Sequence, residues 1–155
     1  MKILIICLDN ICRSPIAEGV LKNLVSINNL NWQVDSAGIE NYHIGEPPHR
    51  YSQKICQKNN INISEQKARQ FVEADFKKFD KIYAMSQDVF NDIKNKAGTQ
   101  FDSSQVILFL NELTPGQNQS VPDPWYGTEE DYAPVFELIS KTCQKIVAKY
   151  KSEHF

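Results

Sequence analysis

Cys7, Arg13 and Ser14 belong to one short stretch, Cys7-Leu8-Asp9-Asn10-Ile11-Cys12-Arg13-Ser14, which directly follows the apolar run Ile3-Leu4-Ile5-Ile6. A cysteine, five residues, then arginine and serine, hung on the end of a buried strand, make a phosphate trap with a nucleophile in its floor. A turn from strand into helix points several backbone N–H groups at one spot, and the helix end adds positive potential there. Arg13 can grip two phosphoryl oxygens at once, which a lysine does less well. The same donors favour thiolate over thiol at Cys7, and Ser14 can hydrogen-bond the sulfur and help it leave later. Leu8 to Ser14 form the phosphate-binding set. A cysteine after a strand is more often a small buried hydrophobe. Here the whole string sits at the junction its mechanism requires, which favours chemistry.

The elements that must hold this loop follow from periodicity. Strand and helix patterns alternate along the chain, the signature of an α/β domain with a mostly parallel sheet. Ile3 to Ile6 reads as a central strand covered on both faces. Pro15 sits at a favoured first helical position, with Ile16, Val20, Leu21, Leu24 and Val25 at helical spacing behind it. Trp32 to Ser36 predicts a second strand, closed by Ala37-Gly38. A helix carrying Tyr51 and Ile55 follows Pro47-Pro48, and a short helical piece is expected from Ser64. Asp80 to Met85 predicts the third strand, Ser86 caps the next helix, and Val106 to Leu110 predicts the fourth strand. A proline-rich loop runs from Thr114 to Pro124. The last helix is expected from about Thr128, where Glu129, Glu130 and Asp131 favour its positive end, although Pro134 can delay its start.

Bulk properties set limits. The 155 residues fit a single domain, and a net charge of −2 argues against a nucleic-acid groove or a membrane-binding face. The Lys77-Lys78 cluster near Lys81 is short, interrupted by Asp80, and reads as a solvated face. Cys7, Cys12, Cys56 and Cys143 match no zinc spacing. The first apolar run is too short for a signal peptide or a membrane span. A cytoplasmic, reducing location is the expectation, in which Cys7 persists as a free thiol. Neither metal nor other cofactor is expected, and oligomeric state is left open.

The sequence resembles the low-molecular-weight protein tyrosine phosphatase family over nearly its whole length. Besides the first loop with Pro15, Ala17 and Glu18, the resemblance is carried by Asp35-Ser36-Ala37-Gly38, Ala68-Arg69-Gln70, Phe79-Asp80 and Asp123-Pro124-Trp125-Tyr126-Gly127. It implies one three-layer phosphatase domain over residues 1–155, with a four-stranded parallel sheet of order 2-1-3-4 and helices on both faces. Ligands of such sheets bind where strand order reverses, beyond the strands' carboxyl ends, and Cys7 falls there. The resemblance also gives Asp123 the role of acid for the leaving oxygen. Without the first motif, Val121-Pro122-Asp123-Pro124 reads as a plain turn. With it, Cys7 attacks phosphorus while Asp123 protonates the departing phenolate, and Asp123 then activates water against the phosphocysteine.

The resemblance further implies that Asn10 and Ser36 bond to each other and hold the loop, with Ser14. Tyr42, Trp125 and Tyr126 would wall the pocket, although Trp125 also fits a core anchor. Ile11 stands where a threonine accompanies phosphoarginine use, so it favours a phosphotyrosine-containing protein or peptide as substrate. Cys12 matches a thiol that can bond to an oxidised nucleophile. Cys56 and Cys143 read as core, Glu18 and Asp35 as possible tuners of nearby ionisation, and His43, His49 and His154 as surface or loop-packing residues. Three positions depart from the family. Asp9 replaces a glycine, where positive φ and close approach to phosphate are expected. Gln66 replaces a histidine that supports the loop, and Ser86 replaces an aspartate. The alternatives are a phosphoarginine phosphatase, an arsenate-reductase-like enzyme (whose extra cysteines after the third strand this chain lacks) and a catalytically weak phosphate-binding module.

Overall fold

The computed structural model describes residues 1–153; His154 lies outside them. β1 (Lys2–Cys7) lies at the centre of the sheet. It pairs in parallel with β2 (Gln33–Gly38) on one side and β3 (Lys81–Ala84) on the other, and β4 (Val106–Leu108) completes the order β2-β1-β3-β4. This is the single α/β domain and strand order that the resemblance implies.

β1 is central because its residues suit burial on both faces. Ile3, Ile5 and Cys7 enter one core, with residues of α1 (Arg13–Ile27), α2 (Arg50–Lys58) and α5 (Tyr132–Tyr150). Leu4 and Ile6 enter the other, with Phe76 of α3 (Asp75–Lys78) and Val89 and Ile93 of α4 (Gln87–Ala97). Each fully buried Ile or Leu side chain contributes roughly 1.5–3 kcal/mol, so the strand that carries Cys7 is firmly anchored. From β1 the chain goes outward to β2, then returns past β1 to β3. The reversal falls at the carboxyl end of β1, where Cys7 is the last strand residue.

Several boundaries differ from the periodicity reading. β2 runs on through Gly38 because its ladder with β1 continues to the Cys7–Gly38 pair. β4 stops at Leu108, where its partner β3 ends at Ala84, and Phe109–Glu112 coil into a 3₁₀ turn. No helix forms at Ser64, where Asn62 Oδ1 accepts the Ser64 N–H in a turn; the short helix here is α3, further along. Ser86 caps α4 through the Val89 N–H. Thr128 and Asp131 cap a 3₁₀ turn reciprocally, and α5 begins after it at Tyr132, which leaves Pro134 in the first turn. Lys77 and Lys78 are exposed.

Candidate active site

The loop after β1 turns its carbonyls outward. Ile39 N donates to Cys7 O at 3.1 Å, Glu40 N to Leu8 O at 2.8 Å, and His49 N to Ile11 O at 2.9 Å. Ser52 Oγ donates to Cys12 O at 3.2 Å. With these four carbonyls bonded to surrounding segments, the N–H groups of the same trans peptide units, those of Leu8, Asp9, Cys12 and Arg13, point the opposite way, into the loop. Gly38 makes the close fit possible: a Cβ there would lie 2.8 Å from Asp9 C and 2.9 Å from Asn10 N.

The left-handed residue is Asn10 (φ 58°), whereas Asp9 has no positive φ, contrary to the expectation for a glycine replacement. Asparagine tolerates this conformation when its side chain bonds locally. Asn10 Oδ1 accepts the Arg69 N–H at 3.1 Å, and Nδ2 donates to Ser14 Oγ and Ser36 Oγ, each at 2.9 Å. The Asn10–Ser36 bond is thus present. Ser14 Oγ lies 3.0 Å from Cys7 Sγ.

Cys7, Leu8, Asp9 and Ile11 line the cleft from the loop side; Cys12 and Arg13 join them, with Asp123 and Trp125 across the mouth. Arg13 is buried, donates through Nη1 to Val121 O at 3.0 Å, and brings Nη2 to 3.6 Å from Asp123 Oδ2. Asp123 Oδ1 accepts the Trp125 N–H at 3.0 Å, so the carboxylate is fixed at both oxygens. Trp125 is 41% exposed and belongs to the cleft rather than the core. Tyr42 and Tyr126, expected as walls, stand out in solvent at 73% and 89% exposure and do not line it. Tyr42 lies in a turn, and Tyr126 ends the short 3₁₀ turn Pro124–Tyr126 with its ring in water.

Burial pushes the Cys12 thiol up to about 12, only partly opposed by its bond with Tyr132 Oη at 3.4 Å. Cys12 therefore stays a thiol near neutral pH. Cys56 and Cys143 are fully buried, and burial raises both. Gln66 Nε2 donates to Pro15 O at 3.1 Å, supporting the start of α1 rather than the Asn10–Ser36 pair; its Oε1 is buried without a partner.

Three contributors were not legible as such. Arg69 carries Asn10 on its backbone and bonds Asp35 and Asp75 through its side chain. Burial opposes its charge, but the two carboxylates outweigh that and hold its pKa above the ordinary value. Its proximity to Asp35 has no signal in spacing. His49, expected as a surface or loop-packing residue, does pack against Trp125 and Tyr132, and it also caps α2 by accepting the Tyr51 N–H. Glu18 bonds Ser36. A larger cleft between α4 and β4 is lined by amides such as Gln87, Asn91 and Asn111 and holds no titratable side chain.

A parallel sheet with a cysteine under an inward-facing amide loop at its switch point, an arginine in that loop and a carboxylate over it define the cysteine-dependent phosphatase class. Residues 2–154 match the family model described as low molecular weight phosphotyrosine protein phosphatase. The phosphatase of that name from Gallus gallus is 36% identical over 149 residues, covering 95% of this chain and 94% of its own. The crystal structure of YfkJ from Bacillus subtilis superposes with a TM-score of 0.92 at 33% identity, covering 100% of this chain and 97% of the other. That of a drosophila arginine phosphatase gives 0.90 at 27% identity, covering 99% and 100%. The chain belongs to the low molecular weight phosphotyrosine protein phosphatase family.

Proposed function

We propose that this chain, as one phosphatase domain over residues 1–155, hydrolyses phosphotyrosine in proteins or peptides through a phosphocysteine at Cys7. The observation that carries this reading is the Cys7 Sγ–Ser14 Oγ contact of 3.0 Å beneath a loop whose Cys7, Leu8, Ile11 and Cys12 carbonyls bond to surrounding segments, with Arg13 and Asp123 at the same cleft. An inward ring of amides and a buried guanidinium match three equatorial phosphoryl oxygens in the transition state.

In the first step Cys7 Sγ forms a bond to phosphorus, and the bond from phosphorus to the tyrosyl oxygen breaks. The Asp123 proton goes to that oxygen. In the second step water attacks phosphorus, Asp123 takes its proton, and the sulfur leaves with the Ser14 hydroxyl donating to it. Cys12, a thiol in the same cleft, can bond an oxidised Cys7 and so protect it.

Ile11 presents a buried hydrocarbon side chain to the cleft and supports phosphotyrosine over phosphoarginine. Four free cysteines suit a reducing compartment such as the cytoplasm, and among the described residues no helix is long and apolar enough to cross a membrane. Turnover of para-nitrophenyl phosphate by the wild type and by Cys7→Ser tests the activity. The wild type is expected to turn over and the variant to be inactive; equal, negligible rates would leave a phosphate binder. Peptides carrying phosphotyrosine or phosphoarginine then test the substrate, with phosphotyrosine expected to be preferred.

A further inference from the structure

The hydrogen bonds beneath the loop do not end at Ser36. Ser36 Oγ donates to Glu18 Oε1 at 2.6 Å, and Lys22 Nζ donates to Glu18 Oε2 at 2.7 Å. The Glu18 side chain is only 6% exposed, whereas that of Lys22 is 55% exposed. A buried carboxylate thus joins the loop network from α1, with its counter-charge one helical turn away.

We propose that Glu18 is a positioning residue that sets the direction of the hydrogen-bond chain ending on the Cys7 sulfur. The inference rests on the reading of Cys7 as the nucleophile. A carboxylate paired with an ammonium only accepts, so the single Ser36 hydroxyl proton points at Glu18. Ser36 Oγ must then accept from its other neighbour, and Asn10 Nδ2 donates to it at 2.9 Å. The amide orientation is fixed independently, since Asn10 Oδ1 accepts the Arg69 N–H. The second Nδ2 hydrogen goes to Ser14 Oγ, which leaves the Ser14 proton for the sulfur. Every link as far as Ser14 has one allowed direction, and with Cys7 as thiolate, which only accepts, the last link delivers a donor to the sulfur. A donor on sulfur favours thiolate in the free enzyme and sulfur as leaving group in the second step.

In Glu18→Gln the Lys22 ammonium draws the amide oxygen, which turns the amide N–H toward Ser36. That donor competes with Asn10 Nδ2 for the Ser36 oxygen, loosens the Asn10 amide that also holds Ser14 Oγ, and leaves the Ser14 proton undirected. The charged groups around the sulfur, Arg13, Asp123 and Asp9, and the neutral Cys12 thiol beside them are unchanged by this rearrangement. Those around the far end are Lys22 on α1 and the Arg69–Asp35 pair beside Ser36.

The test is the pH dependence of Cys7 alkylation by iodoacetamide, located by mass spectrometry, in wild type, Glu18→Gln, Lys22→Met, Ser36→Ala and Glu18→Gln with Ser36→Ala. Glu18→Gln is expected to move the midpoint upward by about one pH unit, the scale of one hydrogen bond to a charged group. Lys22→Met, at an exposed position, is expected to move it the same way by less, and it decides the matter if Glu18→Gln does not fold. In the Ser36→Ala background Glu18→Gln is expected to add nothing, because its effect passes through that hydroxyl. A midpoint equal to wild type in the folded Glu18 and Lys22 variants, or an equal shift with and without Ser36, would overturn the proposal. A wild-type Cys7 that does not alkylate at all would instead remove the nucleophile reading beneath it.

Discussion

Asp123 Oδ2 stands 3.6 Å from Arg13 Nη2 across the mouth of the cleft, and the two differ in access to water: the arginine side chain is 7% exposed and the carboxylate's 32%. The group that holds phosphate is thus buried in the loop, while the group that must exchange a proton with water reaches solvent. Asp123→Asn keeps the side chain's size and its bond to the Trp125 N–H, and removes only the transferable proton. Turnover of aryl phosphates with poor leaving groups is expected to fall by about 10²–10⁴-fold, the usual worth of a general acid. Turnover of activated nitrophenyl esters is expected to fall far less. A leaving-group series measures this, and uniform loss across it would remove the acid role.

Asp9 is the family departure with the clearest electrostatic consequence. It lines the cleft, and its Oδ1 is buried with no hydrogen-bond partner. A carboxylate there opposes an anion in the same cleft, by about 1 kcal/mol for a solvent-screened pair at contact distance. Asp9→Asn is expected to tighten competitive inhibition by inorganic phosphate about fivefold with turnover equal or higher. Asp9→Gly is expected to keep turnover equal or higher too, but to lose about 0.5–1 kcal/mol of stability through backbone freedom. Weaker phosphate inhibition in the asparagine variant would show that the carboxylate has a positive task.

What the sequence makes legible here is local. Cys7 through Ser14 sit next to one another, and the apolar run before them can only be a buried strand, so the loop's place in the sheet follows from adjacency. The Ser86 cap and the capped turn before Tyr132 are likewise short-range. The pieces that tie the loop down come from far along the chain and carry no spacing signal. The Val121 carbonyl on Arg13, the Arg69 N–H on Asn10 and the Glu18 carboxylate on Ser36 are tertiary contacts. Positive φ was expected at Asp9 and occurs at Asn10 because three hydrogen bonds hold the Asn10 amide. Tyr42 and Tyr126 were legible as aromatic but not as exposed, since loop side chains have no periodicity to fix their direction.

Gly38 supports the loop by absence of a side chain. The atoms that an added Cβ would meet, Asp9 C, Asn10 N and Leu8 O at 2.8 to 3.0 Å, are all backbone, so no flexible group can yield. Gly38→Ala is expected to push the loop off β2, at about 1–3 kcal/mol, the usual scale of overpacking. Thermal unfolding and turnover of para-nitrophenyl phosphate check it together: both should fall. Unchanged turnover would mean that the loop holds its shape independently of β2.

His49 gives the fold a pH dependence with a defined sign. Burial, and then the nearby Arg50 charge, lower its pKa from the ordinary 6.5. The geometry agrees: Nδ1 accepts the Tyr51 N–H at 3.1 Å, which a protonated ring cannot do, and the ring stacks on Tyr132 with Trp125 at its edge. The folded state therefore prefers the neutral ring. Its contribution is fully present above the unfolded value of 6.5 and is lost as pH falls through the lower folded value. Asparagine also caps helices but does not titrate, so His49→Asn keeps the cap and removes this dependence. Melting temperatures of both proteins from about pH 7.5 down to about pH 5 are expected to diverge below 6.5, with the wild type losing more. Parallel curves would show that the cap and the Trp125 contact survive protonation of the ring.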